Sequence, residues 1–224
     1  MELALDGQTE ALARLAAYFL ELKKWNRKIN LVARTLDDRQ ILENHFLDSL
    51  TPLFLLEPEK LAEEKLLDVG SGGGFPGLVL KAACPILGVT LVEPRQNRYF
   101  FLKHMARALD LTGVEVYDVR LEEGHQPTAF AGRHFSLITT RAFTDIARFA
   151  ALASPYLTPE GRIVMMKGPG AVGELAGIVR GDFGFHVTDA KKLSLPYSKA
   201  ERWLIILRRR ETGVSCETDG PAGA

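Results

Sequence analysis

Leu67-Asp68-Val69-Gly70-Ser71-Gly72-Gly73-Gly74-Phe75-Pro76-Gly77 decides the reading of this chain. The apolar run Leu66–Val69 is a short strand, and Leu78–Ala83 is the helix that follows it. Pro76 suits the first turn of that helix. Between them the glycines let the backbone turn sharply and let a ligand approach without side-chain obstruction. The helix start adds unpaired N–H groups and a partial positive charge, which favour an anion. The next apolar run, Val89–Glu93, ends on a carboxylate. A carboxylate there can accept both hydroxyls of a ribose. Strand, glycine loop, helix, strand and acidic end together point to a nucleoside cofactor.

The bare pattern Gly72-x-Gly74-x-x-Gly77 also satisfies a dinucleotide fingerprint. Asp68 argues against that reading, because a fixed carboxylate beside the loop repels a pyrophosphate. Beside a zwitterionic amino acid the same group holds the ammonium while loop amides receive the carboxylate. S-adenosyl-L-methionine joins such a methionyl group to an adenosine, and it is the cofactor expected here.

Outward from this unit, Val114–Tyr117, Phe135–Thr139 and Arg162–Met166 read as further strands. Gln96–Leu109, Asp145–Ala153 and Val172–Val179 read as helices. This alternation predicts an α/β fold with a mostly parallel, doubly wound sheet. Two late strands, Phe185–Thr188 and Trp203–Leu207, lie too close together for another crossover and are expected as an antiparallel pair at the edge. Upstream, Leu12, Leu15, Ala16, Phe19 and Leu22 recur at helical spacing, and a second periodic stretch runs from Ile41 to Leu56 with Asp37 or Asp38 as its cap. The expected division is a helical extension over 1–64, a cofactor-binding domain over 65–210 and a disordered tail over 211–224.

The chain has 224 residues with 28 basic and 28 acidic side chains. Neutrality excludes a binder that coats nucleic acid by bulk charge, while leaving room for local basic patches. Two distant cysteines, Cys84 and Cys216, fit a reducing compartment. Glu2, Asp6, Glu10 and Arg14 near the start argue against a secretory signal, and no apolar run reaches the ~20 residues of a membrane span. A cytoplasmic monomer without metal is the expectation.

Topology places more of the site beyond the carboxyl ends of the strands. Arg120-Leu121-Glu122 follows the third strand; Leu121 packs against an adenine ring and Glu122 accepts from its amino group, unless the segment is simply a solvated helix start. The fourth strand leads into Thr139-Thr140-Arg141-Ala142-Phe143, where Arg141 orients cofactor or substrate phosphate, or else forms a surface ion pair. That exit lacks the Asp/Asn-Pro-Pro-aromatic stretch suited to methylating an exocyclic amine. Cys84 ends the helix returning from the glycine loop, so it reads as a packed core residue and not a nucleophile. An acceptor that is already nucleophilic, such as guanine N7, needs no general base, and none is assigned. Lys23, Lys24, Trp25, Arg27, Lys28 and Arg34 form one basic cluster. Arg95, Arg98, Lys103, His104 and Arg107 form another, suited to phosphates. Trp25 itself reads better as packed in the core than as a base-stacking platform.

At this point the sequence resembles the glucose-inhibited division protein B family, the bacterial RsmG guanine-N7 methyltransferases of 16S rRNA. The carriers are Lys24-Trp25-Asn26 with Asn30-Leu31, His45-Phe46-Leu47-Asp48-Ser49, the glycine stretch, Arg120-Leu121-Glu122, Arg141-Ala142-Phe143 and Lys167-Gly168. Val32 departs from the family, which often has a small hydroxyl residue there. The resemblance implies a class I, Rossmann-like S-adenosylmethionine-dependent methyltransferase fold with a helical extension. It also implies N7 methylation of one guanine in the decoding-centre loop, on free 16S rRNA, the small ribosomal subunit or an assembly intermediate. Matching positions carry cofactor contacts to Gly70, Phe75, Leu121, Glu122 and Arg141, beside Gly72 and Asp68 of the loop and Glu93 by the ribose argument. His45, Asp48, Arg95, Arg98 and Lys167 are the substrate-side candidates, with helix packing an alternative role for His45 and Asp48. A non-catalytic RNA-binding or ribosome-assembly module that keeps a nucleotide pocket is the competing function.

Overall fold

The computed structural model of the chain describes residues 8–141, 143, 145–178 and 183–210. Helix α1 spans Gln8–Asn26. Its buried stripe is Ala11, Tyr18 and Leu22, with Leu15 and Phe19 packed beside it. Leu12 and Ala16, expected on that face, point outward, and Leu12 is 62% exposed. Tyr18, outside the expected set, turns the face: it is wholly buried because its hydroxyl finds a partner inside.

Residues 38–55 do not form the single helix expected. Asp37 caps an α-helical turn, Asp38–Ile41, accepting from Gln40 N–H at 2.8 Å while the Gln40 amide oxygen accepts from Asp37 N–H at 3.0 Å. Leu42–Leu47 then opens into a π-helical turn, Asp48–Leu50 closes again, and Thr51–Leu55 tightens to 3₁₀ geometry. Pro52 has no N–H for the Asp48 carbonyl, and the Thr51 hydroxyl donates to it at 2.7 Å instead.

The sheet has seven strands, β1 Lys65–Val69, β2 Gly88–Val92, β3 Val114–Tyr117, β4 Phe135–Arg141, β5 Leu157–Lys167, β6 Phe185–Ser194 and β7 Glu201–Arg209. Their order is β3-β2-β1-β4-β5-β7-β6. The first five pair in parallel, and β7 runs antiparallel to both β5 and β6. The expected antiparallel edge is therefore present, and it is longer than its apolar centre revealed.

Helices α2 Gly77–Ala83, α3 Gln96–Ala108, α4 Ile146–Ala153 and α5 Ala171–Ile178 cover the sheet. Pro76 sits one residue before α2, at its N-cap and not within its first turn. Adjacent strand residues serve opposite faces. Leu66, Val89, Leu137, Val164 and Leu204 join a core with α1, α2 and α3. Leu67, Val92, Ile138, Ile163 and Ile205 join a second core with α4. Each such side chain taken from water is worth roughly 1.5–3 kcal/mol.

The N-terminal helices are built into the first core. Arg14 Nε donates to the Ala82 carbonyl at 2.8 Å, occupying the end of α2. The Glu43 carboxylate accepts from the N–H groups of Tyr197 at 2.6 Å and Ser198 at 2.9 Å, fastening the 38–55 run to the β6–β7 turn. No helix among the described residues is long and apolar enough to cross a membrane. The tail 211–224, Cys216, Ala142 and Val179 lie outside the described residues.

Candidate functional site

The strand order reverses between β1 and β4, so the loops after β1, β2 and β4 share one end of the sheet at the crevice where open α/β folds bind ligands. The loop after β1 is shaped by hydrogen bonds. Gly70 N–H and Ser71 N–H both donate to the Val92 carbonyl, at 2.9 and 3.1 Å. Asp68 is wholly buried, and its Oδ2 accepts from Gly77 N–H at 3.0 Å. Gly77 is required by this approach, since a Cβ there would lie 2.8 Å from the Asp68 side chain. The other oxygen, Oδ1, is buried without a partner. Burial pushes the Asp68 carboxyl up to about 6, against the Gly77 N–H that favours its charge.

Glu93, just beyond β2, is also buried. Its two oxygens accept from Gly72 N–H and Arg95 N–H, each at 2.9 Å. Leu121 is buried in the second core, while Glu122 is exposed in a bridge with His125. The helix start that competed for this segment is absent, and the segment is a tight turn.

Arg141 ends β4 and is half-buried, not a surface ion-pair residue. Its guanidinium lies over the Phe75 ring, 5.0 Å from the centroid. Nη1 donates to the Asn44 carbonyl at 3.1 Å, and Nη2 meets His45 Nδ1 at 3.0 Å. Because a guanidinium only donates, His45 is neutral at Nδ1 and carries its proton on Nε2. Burial, then Arg141 and Arg202, hold His45 down at about 4. Asp48 lies between the two arginines, 3.2 Å from Arg202 Nε and 3.9 Å from Arg141 Nη1. Burial raises the Asp48 carboxyl, with Arg202 and Arg141 pulling back. A cleft of about 740 Å3 opens here, lined by His45, Asp48, Arg141, Phe143, Lys167 and Arg202 among others. Lys167 donates to the Phe143 carbonyl at 2.8 Å and to Glu174 at 2.6 Å.

The structure thus brings His45, Asp48, Arg141 and Lys167 together and leaves Arg95 and Arg98 off that lining. Arg98 instead donates to the Asn30 carbonyl at 2.9 Å, fixing the loop after α1 beside the glycines. The basic face of α3 is less free than the sequence indicated: His104 Nε2 lies 3.0 Å from Glu21 Oε2 of α1. Trp25 packs on Phe101 with centroids 5.6 Å apart, as expected of a core residue. Lys23 and Lys24 pair with Asp38 and Glu21. Cys84 is buried at the far end of α2. Two residues escaped the sequence reading. Arg202 sits in an unremarkable strand, and Tyr18 donates from α1 to the Gly73 carbonyl at 2.5 Å.

A family model described as GidB, rRNA small subunit methyltransferase G, matches residues 11–205. The chain belongs to that family. A GidB-family protein of Desulfotalea psychrophila, named ribosomal RNA small subunit methyltransferase G, is 45% identical over 210 residues, covering 93% of this chain and 92% of its own. The Myxococcus xanthus member with the same name is 41% identical, covering 88% and 87%. More distant solved structures share the fold with this GidB-family chain. The fibrillarin/Nop5p complex matches with a TM-score of 0.55 at 17% identity, over 74% of this chain and 84% of that one. The Geobacter metallireducens precorrin-6y C5,15-methyltransferase matches at 0.51 and 13%, over 80% and 93%.

Proposed function

We propose that this chain transfers a methyl group from S-adenosyl-L-methionine to N7 of one guanine in the decoding-centre loop of 16S rRNA. The observation that carries the reading is the glycine loop clasped between two buried carboxylates, Asp68 and Glu93, in a chain of the small-subunit rRNA methyltransferase G family. These residues fit the cofactor. The orphaned Asp68 Oδ1 has the charge and burial to receive an ammonium, and the Glu93 oxygens keep lone pairs for ribose hydroxyls. Gly70, Gly72 and Phe75 line the loop side, with Leu121 and Glu122 on the adenine side. Bound there, S-adenosylmethionine supplies a methyl group on a sulfonium.

Guanine N7 offers a lone pair in the neutral base, so no residue has to remove a proton before the methyl is accepted. The chain's task is then positioning. Arg141 joins the two halves of that task, since it packs on Phe75 of the cofactor loop and lines the cleft with His45, Asp48 and Lys167. We assign the cleft to the target nucleotide, and Arg95 and Arg98 to phosphates flanking the cofactor side. Residues 1–64 act as the helical extension and 65–210 as the catalytic unit of a cytoplasmic monomer.

The test uses unmethylated 16S rRNA, both free and in small subunits, with labelled S-adenosylmethionine and mapping of N7-methylguanine. One labelled guanine in the decoding-centre loop is expected. A label elsewhere refutes the substrate, and tight RNA binding without turnover on any of these substrates favours the non-catalytic assembly module.

A further inference from the structure

Tyr18 belongs to α1, outside the sheet, yet it is wholly buried against the cofactor loop. Its hydroxyl donates to the Gly73 carbonyl at 2.5 Å. Its ring stacks on Phe75, with centroids 6.1 Å apart and planes 2° from parallel. The loop is cut to admit it: a Cβ on Gly74 would lie 2.0 Å from the Tyr18 oxygen. The side chain is held from behind by Phe46, whose ring centre is 5.2 Å away. Leu31, in the loop after α1, adds a second approach, lying 3.6 Å from where a Gly73 Cβ would stand.

We infer that Tyr18 is a positioning residue for the cofactor, and that the N-terminal extension is one wall of the cofactor pocket in addition to any part it takes in holding RNA. A glycine-rich loop is entropically costly to hold in one shape. The middle of this one, Gly73, has a carbonyl whose orientation is set from α1. Turning that peptide moves the Gly74 N–H, which donates to the Ser71 carbonyl at 2.7 Å, so the hydroxyl helps fix the turn on which the loop is built. The same Phe75 ring carries the Arg141 guanidinium, 5.0 Å from its centroid, and the His45 ring, 4.9 Å away. Tyr18 therefore sets the ring against which the cleft side of the site is assembled. Burial, reinforced by the Asp68 carboxylate, keeps the hydroxyl protonated, so it donates throughout the working pH range.

This inference rests on the reading of the loop as an S-adenosylmethionine site, and the experiment separates the two. S-adenosylhomocysteine is titrated calorimetrically into full-length wild type and Tyr18→Phe, and methyl transfer to small-subunit rRNA is followed at varied cofactor. The Phe variant keeps the ring and its packing and loses one hydrogen bond, which leaves the Gly73 carbonyl buried and unpaired. The expected result is a Kd and cofactor KM raised about five- to tenfold. Turnover at saturating cofactor and KM for RNA are expected to stay within about twofold. Tyr156→Phe, at a buried tyrosine of the second core, is the matched control and is expected to leave cofactor affinity unchanged. A purely structural Tyr18 lowers the active fraction, and so apparent turnover, without moving Kd or KM, which would overturn the inference. Equal binding by wild type and Tyr18→Phe overturns it while leaving the site reading intact. Failure of the wild type to bind overturns both.

Discussion

Glu93 and Gly72 are 21 residues apart and joined by a 2.9 Å hydrogen bond from the glycine N–H to the carboxylate. The acid at the end of β2 thus shapes the loop after β1, in addition to the ribose contact proposed for it. Both functions need a group that accepts on both oxygens. Glu93→Gln puts an NH2 opposite either Gly72 N–H or Arg95 N–H, where donor meets donor. Its affinity for S-adenosylhomocysteine is expected to fall about tenfold or more, since hydrogen bonds to charged groups contribute about 1.5–3 kcal/mol. Calorimetry showing unchanged affinity would remove Glu93 from the site.

The ammonium contact proposed for Asp68 predicts cofactor binding that is sensitive to pH. The folded Asp68 value of about 6 lies above the ordinary 3.8, so the ligand-free native state holds its proton to higher pH than the unfolded chain and is ionised above about pH 6. The sign for stability follows from proton counts: between about 4 and 6 the folded chain binds more protons than the unfolded one, and this group's contribution falls as pH rises. His45 opposes it, because its folded value of about 4 lies below 6.5 and its contribution grows with pH over that window. Binding is the cleaner readout. An ammonium at Oδ1 needs the carboxylate ionised, so cofactor affinity is expected to hold steady above pH 6 and drop about tenfold per unit below it. Asp68→Asn should bind weakly with that pH dependence removed. A wild-type affinity flat from pH 5 to 8 contradicts the assignment.

How much of this was legible without coordinates follows from the kind of pattern each part carries. The sheet core was readable because β1 and its neighbours are buried on both faces and so appear as short, mostly apolar runs. Glu93 and Asp68 were readable because strand ends are fixed by topology. The π turn at Leu42–Leu47 was not, since a change of helical pitch leaves the apolar spacing nearly intact. Tyr18 was hidden by its hydroxyl, which counts against burial until a carbonyl 55 residues away is known to accept it. Arg202 was hidden because β7 pairs it with the Asp48 side of the cleft through a strand order that reverses after β5.

Cys84 offers a check on the chemistry. It lies at the C-terminal end of α2, the end away from the glycine loop, and burial pushes its thiol up. A thiol so placed is a poor nucleophile. Cys84→Ala is expected to keep turnover within about twofold while losing about 1 kcal/mol of stability to a small cavity, as judged by urea unfolding. Loss of activity in a folded variant would reopen covalent catalysis.

Asp48 ties the two arginines of the cleft together. It is buried, with a side chain 6% exposed, and it is the carboxylate between Arg141 and Arg202, whose side chains are 22% and 21% exposed. Asp48→Asn leaves two guanidiniums facing each other across a neutral amide. Removing one partner from a fully buried ion pair costs about 3–5 kcal/mol. Solvent at the two arginines screens this, and a loss of about 2 kcal/mol is expected. Removing the second charge should repay part of it: Asp48→Asn with Arg202→Gln is expected to be less destabilised than the sum of the singles by about 1 kcal/mol. The same cycle reads function. Arg141 keeps its contacts to Asn44, His45 and Phe75 but loses the counter-charge on the cleft side, so Asp48→Asn should raise KM for RNA more than KM for cofactor. Additive stabilities with equal changes in both constants would mean that the three residues do not act as a unit.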